Sequence, residues 1–245
     1  MKAFFESLEF LTVIPIPSSL RGGEGGLGRL APWFPLTGLF IGLMAVALNY
    51  GATSFLPLLP SVAITVLFLS WISGGLHMDG LSDTADGFLS GAGRERIVEI
   101  MKDSRAGAMG VFAVASVVLL KTCALASVAP AHGAVAVLLT PVAGRCAMLY
   151  AVATQPYVSG PGGLGHALNA GYGKSRALWA VAALAVAGLA GVGLWGLSWA
   201  VTVLVVVLLF ARWCAKKIGG MTGDNYGALC EISETVSLLF FSAMV

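Results

Sequence analysis

Of the 245 residues, 58% are hydrophobic and 11% charged, with a net charge of +2 and a mean hydropathy of +0.89. That balance excludes an ordinary soluble domain and offers no global electrostatic case for nucleic acid as a partner. Cys123, Cys146, Cys214 and Cys230 are scattered with no CxxC pair, so they read as small apolar helix residues, not as disulfides or a zinc site.

The stretch from Met1 to Ile14 carries Glu6 and Glu9 among apolar residues and stops at Pro15. Acids that interrupt the apolar run argue against a signal peptide and for a short amphipathic helix in the membrane interface. Gly22-Gly23-Glu24-Gly25-Gly26 is a flexible loop by composition. Seven candidate spans follow: Pro32–Leu56, Ser61–Leu76, Ala108–Ala129, Gly133–Thr154, Ala177–Leu194, Trp195–Ala211 and Ala228–Val245. The second, fifth and sixth are short, and the second is expected to continue as a helix into the acidic run after it. The fold class is therefore an all-α polytopic membrane protein, one domain over residues 1–245, with about seven transmembrane helices plus the N-terminal interfacial helix.

The connections at Leu59-Pro60, Pro130-Ala131-His132 and Gly196-Leu197-Ser198 carry no Lys or Arg, whereas twelve of the fourteen basic residues fall on the alternate side. The positive-inside rule then places the N-terminus in the cytoplasm and the C-terminus outside. Asp79–Asp86 and Asp224 both fall on the cytoplasmic side of that topology.

Asp79, Asp83 and Asp86 lie in Gly74-Gly75-Leu76-His77-Met78-Asp79-Gly80-Leu81-Ser82-Asp83-Thr84-Ala85-Asp86-Gly87, and six of the twelve acidic residues fall between Asp79 and Asp103. On a helix, spacings of four and seven put these three carboxylates on one face with no base between them. At about 5 Å and an effective dielectric near 20, each pair repels by roughly 3 kcal/mol. Protonation or a bound cation must offset that, and hard cations such as Mg²⁺ take carboxylates together with substrate phosphates. His77 points nearly opposite Asp79 on an ideal helix and joins the group only if the neighbouring glycines distort it. The alternative for the aspartates is a solvated helix face, although such faces normally intersperse opposite charges.

In Met101-Lys102-Asp103-Ser104-Arg105-Ala106-Gly107, Lys102 and Arg105 can face bound phosphates, while Asp103 and Ser104 can cap the third span or ligate metal; a plain positive-inside loop is the alternative. Lys121 and Arg145 lie inside spans. Arg145 reads equally as a phosphate ligand or as half of a structural ion pair. Gly173-Lys174-Ser175 lacks the upstream glycine and strand of a P-loop and is set aside. His132 and His166 are loop histidines without visible partners. Near the C-terminus, Asp224, Glu231 and Glu234 fall on one helix face. Intramembrane acids are costly and usually functional, and the structural alternative for Glu234 is a buried pair with Arg145 or Lys121.

At these motifs the sequence resembles the cobalamin synthase family, the adenosylcobinamide-GDP ribazoletransferases. The resemblance runs from Phe10-Leu11-Thr12-Val13-Ile14-Pro15-Ile16-Pro17 and Phe34-Pro35-Leu36-Thr37-Gly38-Leu39-Phe40-Ile41-Gly42, through the Gly74–Gly87 run and Met101-Lys102-Asp103-Ser104-Arg105, to Gly223-Asp224, Gly227-Ala228 and Glu231-Ile232-Ser233-Glu234. Val13 stands where the family often has a basic residue. The resemblance implies a Mg²⁺-dependent enzyme of a prokaryotic cytoplasmic membrane, its active site facing the cytoplasm. A hydroxyl of α-ribazole, or of its 5′-phosphate, attacks adenosylcobinamide-GDP, releasing GMP and forming adenosylcobalamin or its phosphate.

The carboxylate pattern fits that chemistry. Asp79, Asp83, Asp86, Asp224 and Glu231 are the candidate metal ligands. Lys102, Asp103, Ser104, Arg105 and Arg145 are the candidate substrate-binding residues, and Asp86, ahead of Asp83, is the candidate acceptor of the hydroxyl proton. Whichever acid is least coordinated serves as that base. The lipid bilayer is an expected partner, and the oligomeric state, a homo-oligomer included, is open. Two rivals are a lipid enzyme like the CDP-alcohol phosphotransferases, whose Ala-Arg pair after the first Asp-Gly is missing here, and a cation-coupled transporter using Glu231, Glu234 and Arg145. No internal repeat of the transporter kind is visible.

Overall fold

The protein is described by a computed structural model for residues 1–22, 27–158 and 173–244. The glycine loop at 23–26 and His166 lie outside the described residues. Among those residues the secondary structure is helical: α1 (Lys2–Leu11), α2 (Phe34–Phe55), α3 (Leu58–Trp71), α4 (Leu76–Leu89), α5 (Arg94–Met101), α6 (Ala108–Ser127), α7 (Pro130–Thr154), α8 (Lys174–Val192), α9 (Trp195–Ile218) and α10 (Gly223–Ser242). One isolated parallel bridge, Tyr157 with Met221, ties the segment after α7 to the entry of α10.

Among the described residues, five helices are long and apolar enough to cross a membrane: α2 with the turn before it, α6, α7, α8 and α9; the α3–α4 pair makes a sixth if the bent pair is one span. The count of seven is thus not reached. α10 has the length, 20 residues, but carries Asp224, Glu231 and Glu234. The chain still alternates between two ends of the bundle. α6 ends and α7 begins at Ser127–Pro130, α8 and α9 meet near Gly193, and α10 finishes beside them. The starts of α6 and α10 lie at the opposite end, with α4.

Two expectations about helix ends are corrected. α3 does not run on into the acidic segment: Gly74 and Gly75 take positive φ values of 65° and 78°, and α4 turns 82° from α3. A side chain would resist that left-handed backbone, so the glycine pair is what lets the acid helix leave the line of α3 and pack along the first turns of α6 and α10. α9 runs past Ala211 to Ile218 and closes on Gly219 at φ 84°, with Lys216 and Lys217 in its last turn. Basic residues at a helix C-terminus oppose the dipole, so the charges that looked like a loop extend the helix.

α7 is the centre, with Ala136 to Val152 buried almost without interruption. α2 packs on it through Gly38 and Gly42, where a Cβ would collide with the backbone carbonyls of Pro141 and Leu138. Such close approach of small residues is how apolar helices associate in lipid. α1 is docked, not free: Ser7 shares a 3.0 Å hydrogen bond with Thr37, and Glu6 and Glu9 each reach an arginine, Arg29 and Arg21, at 2.5 Å.

Candidate active site

α4 is held to α10 at two glycine crossings. A Cβ on Gly80 would lie 2.6 Å from the Asp224 carbonyl oxygen, and one on Gly227 would lie 3.1 Å from the Cα of His77. One turn beyond Gly80, Asn225 Nδ2 donates to Thr84 Oγ1 at 3.0 Å, both residues being buried. Asn225 also closes the capping box of α10, taking the Thr222 N–H at 2.9 Å on its side-chain oxygen while its own N–H reaches Thr222 Oγ1 at 3.3 Å. One residue therefore fixes both the start of α10 and its registry on α4.

This seam brings Asp79, Asp83 and Asp224 together. Asp83 is pushed up to about 7, first by burial and then by the charges of Asp79, Asp224 and Asp86. Asp224 is raised as well, by burial and in part by Asp79. The charges acting on Asp83 are all acidic, as the spacing implied. Among the described residues, no three His, Cys, Asp or Glu side chains are arranged to hold a metal ion unaided.

Asp86 is placed differently. One of its oxygens accepts the Gly107 N–H at 2.7 Å and the other the Gly110 N–H at 2.8 Å, at the start of α6. A Cβ on either glycine would overlap the Asp86 carboxylate. Beside it, a cavity of 410 Å³ is lined by Asp86, Arg96, Glu99, Asp103 and Arg105 among others. A second, of 510 Å³, borders Gly74, Gly75, Asp79 and Ser82.

Lys102, Ser104 and Arg105 are exposed on the loop between α5 and α6. Asp103 takes Arg105 in a fork, at 3.0 Å from Nε and 2.7 Å from Nη2. Those bonds hold its carboxyl down at about 2. α5, not foreseen in the sequence, packs here through Ile97 and Met101, the latter pressed on Gly87.

Two expectations are revised by placement. Arg145 is fully buried, and its Nη1 pairs with Glu234 Oε1. Lys121 Nζ lies 2.6 Å from both Glu231 Oε2 and Glu234 Oε2. Glu231 is thus held in a closed chain, Glu231–Lys121–Glu234–Arg145, beneath the aspartates. Seven residues at 1.5 Å rise set it about 10 Å along the axis from Asp224, which is why a shared helix face does not make a shared site. The structural alternative for Glu234 holds, with both partners. His77 sits on the buried face of α4, opposite the aspartates, and its Nε2 has no protein partner.

The chain matches the family model of cobalamin-5-phosphate synthase over residues 3–242. It is 41% identical over 236 residues to an adenosylcobinamide-GDP ribazoletransferase from Roseiflexus sp. (strain RS-1), covering 95% of this chain and 86% of that one. Proteins of the same name from Brevibacillus brevis and Desulforamulus reducens are each 38% identical. The matches span 98% and 94% of this chain and 97% and 91% of theirs. No solved structure matches.

Proposed function

The chain belongs to the cobalamin-5-phosphate synthase family, and from that premise we propose that it is an adenosylcobinamide-GDP ribazoletransferase. It transfers adenosylcobinamide phosphate from adenosylcobinamide-GDP to the hydroxyl of α-ribazole or its 5′-phosphate and releases GMP. The observation that carries the reading is the meeting of Asp79 and Asp83 of α4 with Asp224 of α10. These acids lie 141 or more residues apart in sequence and meet across a seam whose Asn225–Thr84 bond spans the same separation. The site faces the cytoplasm of a prokaryotic cell in this proposal, since the basic loops lie at the same end of the bundle.

The donor set suits Mg²⁺: all carboxylate oxygen, mutually repelling, and with no base among the charges acting on Asp83. A cation of this kind is held by one or two carboxylates and completed by substrate phosphate. Asp79 and Asp224 would hold it, and when bound it neutralises the charge that builds on the departing phosphate.

The remaining work falls to the chain. Lys102 and Arg105 bind diphosphate oxygens, Arg105 by exchanging its exposed partner Asp103 for phosphate, and such surface pairs open at little cost. Asp83, between Asp79 and Asp86 on the same face, takes the hydroxyl proton. Asp86 is less suited because amides engage both of its oxygens. In-line alignment of hydroxyl and phosphorus is then set by the rigid α4–α10 seam.

The test is a reconstituted assay of purified protein with adenosylcobinamide-GDP and α-ribazole, with and without Mg²⁺. Release of GMP that needs Mg²⁺ and yields a cobalamin is expected. Release of CMP from a CDP-alcohol donor, with no turnover of the guanosine donor, would overturn the proposal.

A further inference from the structure

We propose that Asp86 is a positioning residue: its carboxylate fastens the phosphate-binding loop to the acid helix, and it neither ligates the cation nor takes the proton. The inference rests on the reaction proposed above but is carried by separate geometry. The loop carrying Lys102 and Arg105 is pinned at both ends to adjacent residues of α4. Upstream, Met101 is buried against Gly87. Downstream, the N–H groups of Gly107 and Gly110 are bound by Asp86 at 2.7 and 2.8 Å. Only residues 102–106 lie between the two fastenings.

The free N–H groups at the start of α6 need an acceptor, and an anion there also meets the positive end of the helix dipole. No side chain of the loop supplies one: the residue before α6 is Gly107, and α6 has no side-chain cap of its own. Asp86 supplies it from another helix, as an N-cap in trans. The fit is two-sided, because a methyl group at 107 or 110 would occupy the place of the carboxylate. Asp86 thereby sets where the cationic loop stands relative to Asp79, Asp83 and Asp224. Displacing a positioning element by about 1 Å typically costs about 10²-fold in rate.

The proposal is tested with the full chain in detergent or liposomes, using Asp86→Asn, Asp86→Ala, Gly107→Ala and Asp79→Asn. Mn²⁺ binding followed by electron paramagnetic resonance serves as the readout independent of turnover. Asp86→Asn keeps one acceptor for the two amides, and Asp86→Ala keeps none. A fastening role therefore predicts graded activity, wild type above Asn above Ala. Gly107→Ala should reproduce the loss although the carboxylate is intact, and the Asp86→Asn/Gly107→Ala pair should be strongly non-additive.

Mn²⁺ affinity of Asp86→Asn should stay within about threefold of wild type, whereas Asp79→Asn, which loses a direct ligand, should fall by at least the roughly 10-fold that changing a mere hydrogen-bond partner of a ligand costs. The acid limb of the pH–rate profile should survive in Asp86→Asn. Three results would overturn the proposal: Mn²⁺ affinity lost in Asp86→Asn as in Asp79→Asn, Asn and Ala variants equally dead with a flattened pH profile, or full activity in Gly107→Ala. If Asp86→Ala does not accumulate, Asp86→Asn and Gly107→Ala decide between the same outcomes. An inactive wild type with normal Mn²⁺ binding would count against the proposed reaction, and the binding comparison would still judge Asp86.

Discussion

Replacing Lys121 with methionine keeps the length and apolar stem of the side chain and removes one buried charge. In the native chain Lys121 Nζ is fully buried and 2.6 Å from a carboxylate oxygen of both Glu231 and Glu234. Arg145 still serves Glu234, so the variant strands Glu231 with neither water nor a cation. Removing one member of a buried ion pair typically costs about 3–5 kcal/mol, because the partner keeps its desolvation penalty and loses its compensation. For a chain of this size that is a fall of roughly 6–20 °C in the unfolding midpoint. Thermal unfolding in a mild detergent, followed by light scattering and helical circular dichroism, measures it. Lys121→Met/Glu231→Gln removes the stranded charge and leaves the Glu234–Arg145 pair, so it should recover at least half of the loss. The Mg²⁺ requirement for turnover should be unchanged in both variants. A single variant as stable as wild type, or a double variant no better than the single, would refute the account of this chain as mutually compensating.

Three further outcomes follow from the site. Asp83→Asn should insert and fold normally yet lose turnover by at least about 10²-fold, the scale of a general base; wild-type rates from a folded variant would remove Asp83 from the chemistry. In EDTA, the stability of wild type relative to Asp83→Asn should decline as pH rises from about 4 to above 7, because the folded value of Asp83, about 7, exceeds its ordinary 3.8, so the folded state holds an extra proton within that range; the comparison cancels the opposite slope of His77, which burial holds below its ordinary value. Asp224 shifts in the same direction as Asp83, the effect of Asp103 is confined below pH 4, and Mg²⁺ should flatten the decline; a wild-type advantage over Asp83→Asn that grows with pH in EDTA would contradict this. In a cysteine-free background, Ser90→Cys should be shielded from an impermeant thiol reagent on intact cells and Ala131→Cys labelled; the reverse pattern would turn the protein over in its membrane.

What was legible in the sequence follows from how far each signal reaches. Apolar runs of bilayer length located α2, α6, α7, α8 and the first part of α9, because that signal is local and strong. The carboxylate face of α4 was legible because helical spacing alone puts Asp79, Asp83 and Asp86 together. The division of labour within that face was not. Asp86 is set apart by backbone N–H groups 21 and 24 residues on, and amides leave no trace in residue type. The turn between α3 and α4 was signalled by Gly74-Gly75, but a glycine pair in an apolar run permits a bend without demanding one. Arg145 remained balanced between phosphate and ion pair because depth in the bundle, which decides it, depends on packing and not on spacing. The Asn225–Thr84 bond was missed for a similar reason: a polar residue after an aspartate reads first as a cap, and here it is both cap and tether.

The closed charge chain also carries a cost in time. Lys121 precedes Glu231 by 110 residues, and Arg145 precedes Glu234 by 89. With synthesis at about 5–20 residues per second, Lys121 leaves the ribosome roughly 5–20 s before an acid that can neutralise it exists. During that interval α6 and α7 are apolar segments carrying unmatched cations, held at the membrane by snorkelling or within the insertion machinery. The arrival of α10 closes both pairs at once and, through the same helix, delivers Asp224 to the aspartates of α4. Burial of the early cations and assembly of the acidic face are thus a single late event in the life of the nascent chain.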